Sequence, residues 1–198
     1  MTVEGAPERR RAVALAGHRG DRELARAGLT DPDASVRETA LGALERLGAL
    51  EDADVRTALQ DSDAGVRRRA AEAAAARPSV ELRGALSDAD SSVVEMAAWS
   101  CGERERAGTA VLRALVALAT GHRDALVREA AVAALGAIGD PSGLSAILAA
   151  TYDKPAVRRR AVIALTPFDG PDVDEALERA LSDRDWQVRQ IAEDIRDA

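Results

Sequence analysis

The sequence predicts an all-α protein, a solenoid of stacked helix pairs, on three observations. The first is composition: 46% of the 198 residues are hydrophobic, only 2% are aromatic, and 44 are alanine. Alanine is the strongest helix former and lets helices approach closely, whereas strands favour β-branched and aromatic side chains. The second is repetition. Asp33-Ala-Ser-Val36-Arg37 recurs as Asp63-Ala-Gly-Val66-Arg67, Asp90-Ser-Ser-Val93-Val94, Asp124-Ala-Leu-Val127-Arg128 and Asp185-Trp-Gln-Val188-Arg189. A further copy, Lys154-Pro-Ala-Val157-Arg158, lacks the leading Asp, although Asp153 stands one place earlier. The six anchor valines are 30, 27, 34, 30 and 31 residues apart, the period of a helical repeat array. The third is periodicity within each copy. Apolar residues fall at 0, +4, +7, +8 and +11 from the anchor, as in Val127, Ala131, Ala134, Leu135 and Ile138, which is one face of a helix.

The elements then read in order. Residues 7–18 resemble the second helix of the fifth repeat, sharing its three arginines followed by Ala-Val, and are read as a half-repeat capping the N-terminal end. Repeats follow at 21–50, 51–78, 79–107, 108–141, 142–170 and 171–198, each with a shorter first helix and a longer second one. The whole chain is thus one domain of about six and a half pairs. Residues 55–59 and 175–181 illustrate the first helices. The recurring Asp is the N-cap of each second helix, its carboxylate accepting an otherwise orphan backbone N–H. Pro155 falls in the first helical turn, where its missing N–H costs nothing. Turns such as Gly139-Asp140-Pro141 and Gly170-Pro171-Asp172 separate the pairs. The last helix, 187–196, carries Gln190, Glu193 and Asp194 outward as a polar cap, with Trp186 expected to cover the end of the stack.

Charge and composition exclude several functions. A net charge of −7 argues against a general nucleic-acid binder, which needs a basic footprint. The 26 arginines against one lysine, Lys154, fit a high-G+C codon bias. One cysteine, Cys101, excludes disulfide frameworks and cysteine-rich metal sites. It stands at the position of Leu135 in its repeat, a core position, and reads as a small buried apolar residue. His18 and His122 have no second ligand at i+3 or i+4, so no metal site is expected. There is no phosphate loop or nucleophile elbow. The glycines at 136–143 stand where every repeat turns. No apolar stretch is long enough for a membrane span and the start has no apolar leader, so a cytoplasmic protein without a cofactor is expected.

Asp-x-x-Val-Arg followed by Glu-Ala-Ala-x-x-Ala-Leu-Gly-x-Ile-Gly-Asp, as at 124–140, resembles the HEAT-like repeat of the phycobilisome-lyase class, over essentially the whole chain. The resemblance implies a right-handed α-solenoid, an α-α superhelix, with the second helices on its concave face. It also implies a ladder of Asp and Arg bonded between successive repeats, with Arg37, Arg67, Arg128, Arg158 and Arg189 as members and Val94 as a break. Scaffolds, bilin lyases, a di-iron hydroxylase and DNA-alkylation repair proteins share the repeat. The hydroxylase needs several His-Glu pairs, which this sequence does not have.

On the implied concave face, the second position after each anchor reads Glu38, Arg68, Glu95, Glu129, Arg159 and Gln190, a mixed stripe rather than the continuous basic groove that tracks a nucleic-acid backbone. The fifth and sixth positions read Leu41-Gly42, Ala71-Glu72, Ala98-Trp99, Val132-Ala133, Val162-Ile163 and Glu193-Asp194. Both are expected to lie away from the intra-repeat core and to form an apolar strip through the middle repeats. For Val162 and Ile163 packing against the adjacent repeat is weighed equally. A groove Trp flanked by Arg and Glu is the kind of residue that anchors a partner. The candidate partner-binding residues are therefore Trp99, Glu95, Arg68, Glu129, Arg159 and Ile163. The function that follows is a non-catalytic scaffold or adaptor holding a protein segment. The alternative is a lyase or chaperone that holds a bilin or other small amphipathic ligand with Arg68, Arg159 and Glu129. DNA-alkylation-repair-type binding is a third reading, which the charge disfavours.

Overall fold

The computed structural model describes residues 5–104 and 106–197. Residues 1–4, which open the stretch read as lacking a leader, lie outside the described residues, as do Glu105 and Ala198. Among the described residues the secondary structure is entirely helical, and no helix is long and apolar enough to cross a membrane. The chain divides into two compact units, Met1–Ala85 and Leu86–Ala198.

In the first unit, α1 (Ala6–Arg19) is the half-repeat. It is followed by α2 (Arg22–Ala27), α3 (Ala34–Arg46), α4 (Asp52–Ala58) and α5 (Ala64–Ala73). α1, α3 and α5 pack side by side as one row, with α2 on α3 and α4 on α5 as the other. The second unit holds α6 (Ser91–Gly102), α7 (Thr109–Gly121), α8 (Ala125–Ile138), α9 (Leu144–Ala150), α10 (Pro155–Ala164), α11 (Pro171–Ala180) and α12 (Trp186–Arg196). Here α6, α8, α10 and α12 form the row of second helices, and α7, α9 and α11 the row of first helices. The chain is thus an all-α repeat solenoid.

Asp33, Asp63, Asp90, Asp124 and Asp185 are the N-caps of α3, α5, α6, α8 and α12, each accepting a backbone N–H two residues on. Lys154 precedes α10, which starts on Pro155. The alanines four residues after each anchor, at 40, 70, 97, 131, 161 and 192, are buried and let the row close up. Glycine brings some neighbours closer still. A Cβ on Gly136 would fall 2.6 Å from the Cα of Ala164, and one on Gly102 would fall 2.8 Å from that of Ala134.

Four expectations are corrected. The third repeat has no first α-helix: only a 3-10 turn, Ala85–Ser87, stands there. That repeat has the shortest anchor spacing, 27 residues, and Pro78 and Gly84 interrupt the segment. Val80, Leu82 and Leu86 are nevertheless buried, so irregular chain fills the core positions a helix would have filled. The fifth position after the anchor is core, not groove: Leu41, Ala71, Ala98, Val132 and Val162 are all buried, and only the sixth reaches the surface. Val162 packs with Ala180, Val188 and Ala192. Trp186 does not cover the end of the stack, since it is 64% exposed at the start of α12.

The fourth correction concerns the ladder, which exists but uses a different Asp. The Nε and Nη2 of Arg37 donate to both carboxylate oxygens of Asp61 at 2.8 and 2.7 Å. Arg128 does the same to Asp153, and Arg158 to Asp183. The acceptor is thus the Asp two residues before the N-cap, or one before it at Lys154. Its carboxylate also accepts the N–H of the cap residue, as Asp61 does from Asp63 and Asp183 from Asp185. Each Arg donates its Nη1 to a carbonyl of its own loop, as do Arg67 to Asp61 and Arg189 to Asp183. A rung not foreseen joins Arg9 of α1 to Asp31 at 2.7 and 2.8 Å. These forked pairs hold the carboxylates down: the Arg9 bond holds Asp31 at about 2, and Arg37, Arg128 and Arg158 lower Asp61, Asp153 and Asp183. Between the third and fourth repeats both halves of a rung are replaced. Val94 stands buried for the Arg, and His122 for the Asp, its Nδ1 accepting the Asp124 N–H.

Candidate functional site

The Asp caps of α6 and α8, the Pro155 start of α10 and the buried +4 alanines of all three hold them in one register, so equivalent positions share a face. At the sixth position this face carries Trp99, Ala133 and Ile163. Trp99 is 42% and Ile163 44% exposed, while Ala98, Val132 and Val162 beside them in sequence are buried. The small Ala133 between them leaves the indole and the isoleucine standing above their neighbour. One turn back, at the second position, stand Glu95, Glu129 and Arg159, all half-buried. Arg159 donates to the Gln187 side-chain carbonyl, and Glu129 lies 3.6 Å from Arg160. Part of the charge on this face is therefore matched internally, and the exposed apolar groups are what it offers. On α12 the sixth position is Asp194, and the apolar surface ends there.

Five of the six candidate residues thus lie on one face of the second unit. Arg68 lies exposed on α5, in the first unit. That unit has a separate hollow, which the sequence reading missed, lined by Arg10, His18, Glu38, Arg46 and Arg69. The signal was present, because numbering α1 as a full member of the row puts Arg10 at the second position and His18 at the tenth, level with Glu38 and Arg46.

Other chemistry is sparse. Cys101 is buried, and burial pushes its thiol up to about 11, against a smaller downward pull from Arg104. At neutral pH it is a protonated core group, not a nucleophile. Among the described residues no cluster of three or more His, Cys, Asp or Glu side chains could hold a metal. Tyr152, exposed before α10, has the Arg179 guanidinium over its ring, 4.2 Å from the centroid.

Comparison with known proteins agrees with this architecture. A family model of HEAT repeats matches residues 79–155 and 112–194, together more than half of the chain. No curated protein matches it. Among solved structures, the YibA protein of Escherichia coli is 18% identical, with a TM-score of 0.77 over 98% of this chain and 77% of its own. The complex of CpcE and CpcF of phycocyanin lyase from Nostoc is 29% identical over 86% of this chain and 74% of that one, with a TM-score of 0.61. A designed armadillo repeat protein in complex with the peptide (KR)4 is 18% identical, with a TM-score of 0.60 over 98% and 99% of the two chains. With its Asp-capped second helices, its rows of paired helices and a family match over most of its length, the chain belongs to the HEAT repeat family.

Proposed function

We propose that the protein is a non-catalytic scaffold or adaptor that holds a segment of a partner protein across α6, α8 and α10. The observation that carries this reading is the exposure of Trp99 and Ile163 in equivalent positions on either side of Ala133. A large aromatic side chain left half in water beside a small neighbour, Ala133, gains most from being covered by a partner. The repeat family supports the reading, because stacked helix pairs present extended surfaces of this kind. Site-specific photo-crosslinking tests it. A crosslinker at position 99 should capture a defined protein in the native cell, and one at position 186, also an exposed Trp, should not. Ile163→Asp should abolish capture from position 99. Equal capture from both positions, or capture indifferent to Ile163→Asp, would contradict the reading.

One comparison favours a second reading, the likeness to phycocyanin lyase chains. On that reading the same face positions a bilin or similar amphipathic ligand, with Arg159 and Glu129 as polar contacts. Added bilin should then give a shifted absorption band with the purified chain, and an unshifted spectrum disposes of it.

A further inference from the structure

The hollow of the first unit lies where α1 and α3 approach closely at one glycine and a second, Gly42, lines the space. Gly17 of α1 lies against α3 so closely that a Cβ there would fall 2.9 Å from the Cα of Ala43 and 3.2 Å from a guanidinium nitrogen of Arg46. A Cβ on Gly42 of α3 would lie 3.3 Å from the Arg69 guanidinium. α1, α3 and Arg69 enclose an open hollow of about 430 Å³, a size that suits a short ligand segment.

Its charges are not balanced. Arg69 is matched by Glu45 at 2.5 Å and Glu72 at 2.7 Å. The Glu38 carboxylate lies at the α5 edge, with Oε2 3.6 Å from the Cβ position of Gly65. Arg10 and Arg46, by contrast, make no hydrogen bond or ion pair among the described residues. In a chain of net charge −7 this hollow therefore presents, among the described residues, two guanidinium groups without a partner against one such carboxylate, Glu38. Arg10 is at the second position of its helix and Arg46 at the tenth of the next, which sets them about 12 Å apart along the helix axis. That span matches two carboxylates four residues apart on one side of an extended peptide, which rises about 3.3 Å per residue. The floor is Ala14 and Gly42. The Ser35 and Thr39 hydroxyls donate to Asp33 and to the Ser35 carbonyl and keep lone pairs for peptide N–H groups.

We propose that this hollow binds an extended acidic peptide segment, with carboxylates at i and i+4 seated on Arg10 and Arg46. The site lies in the first unit and does not depend on the Trp99 reading.

The test is fluorescence anisotropy of the full chain with a labelled Gly-Asp-Ser-Gly-Ser-Asp-Gly peptide. Binding should weaken between about 50 and 500 mM salt. Arg10→Ala and Arg46→Ala should each weaken it about tenfold, and Trp99→Ala should leave it unchanged. Both arginines lack a partner among the described residues, so the variants should keep the wild-type Tm. Arg46→Glu should instead favour the peptide whose second Asp is replaced by Lys, a swap that a merely damaged fold would not produce. Equal binding of the Asn-for-Asp peptide, wild-type affinity in both alanine variants, or displacement by inorganic phosphate below about 1 mM would overturn the proposal.

Discussion

Asp61 and Asp63 are two residues apart and do different work. Asp63 caps α5 by accepting two backbone N–H groups, whereas Asp61 takes the forked guanidinium of Arg37 from the preceding repeat. Asp63→Ala should cost about 1 kcal/mol, the usual loss of a cap. Asp61→Ala also strands a half-buried Arg37 and should cost about 2–3 kcal/mol, below the figure for a fully buried pair because both partners retain some water contact. Urea denaturation of the two variants checks the order, and equal losses would remove the ladder from the account. Acid should act on the same carboxylates. Asp31 is held at about 2 by Arg9 and titrates at its ordinary value of 3.8 once unfolded. Its contribution is therefore complete above about pH 4 and is lost as the pH falls through about 2. Arg9→Gln should lower stability at neutral pH and flatten the fall between pH 4 and 2, measured by thermal melts across that range. The caps were legible in the sequence because Asp before an apolar-periodic run has one local use. The ladder acceptor was not, because Asp-x-Asp pairs offer two candidates and only the folded loop shows which carboxylate faces the next repeat.

At the scale of elements, spacing between helices is set by what is missing from their side chains. Gly136 illustrates this. Alanine in a helix interior ordinarily improves on glycine by about 1 kcal/mol. A Cβ at 136, however, would sit 2.6 Å from the backbone of Ala164, so Gly136→Ala should destabilise by about 2 kcal/mol through overpacking. A raised Tm in that variant would show that α8 and α10 are not as close as described. The same tight packing explains which sequence expectations failed. Leu41, Val132 and Val162 are apolar and one residue from a surface position, and the 3.6-residue period alone does not tell the edge of a buried stripe from the start of a groove. Burial of the fifth position follows from how near the next helix lies, which the +4 alanines and the glycines decide together. The third repeat failed for a related reason. Its Val80, Leu82 and Leu86 satisfy the core without a helix, and hydrophobicity registers that burial but not the backbone that delivers it.

For the whole molecule, the alanine-rich, aromatic-poor composition and the recurring Asp-x-x-Val anchor sufficed for an all-α repeat array of the HEAT family, because each copy restates the same local solution. The sites were less legible, since they lie where copies differ. Trp99 stood out as one of four aromatics in the chain, and its place on the face follows from its register after Val93. The hollow at Arg10 and Arg46 is lined by Gly42, whose contribution is a space and leaves no residue pattern to read. On the proposed function, the face bearing Trp99 and Ile163 docks a protein. The most direct measurement of this docking is the affinity of Trp99→Ala for the partner captured from position 99, by calorimetry beside a thermal melt. Affinity should fall by more than about tenfold with a nearly unchanged Tm, since the indole is half in water before binding. Unchanged affinity, or loss of the fold itself, would contradict it.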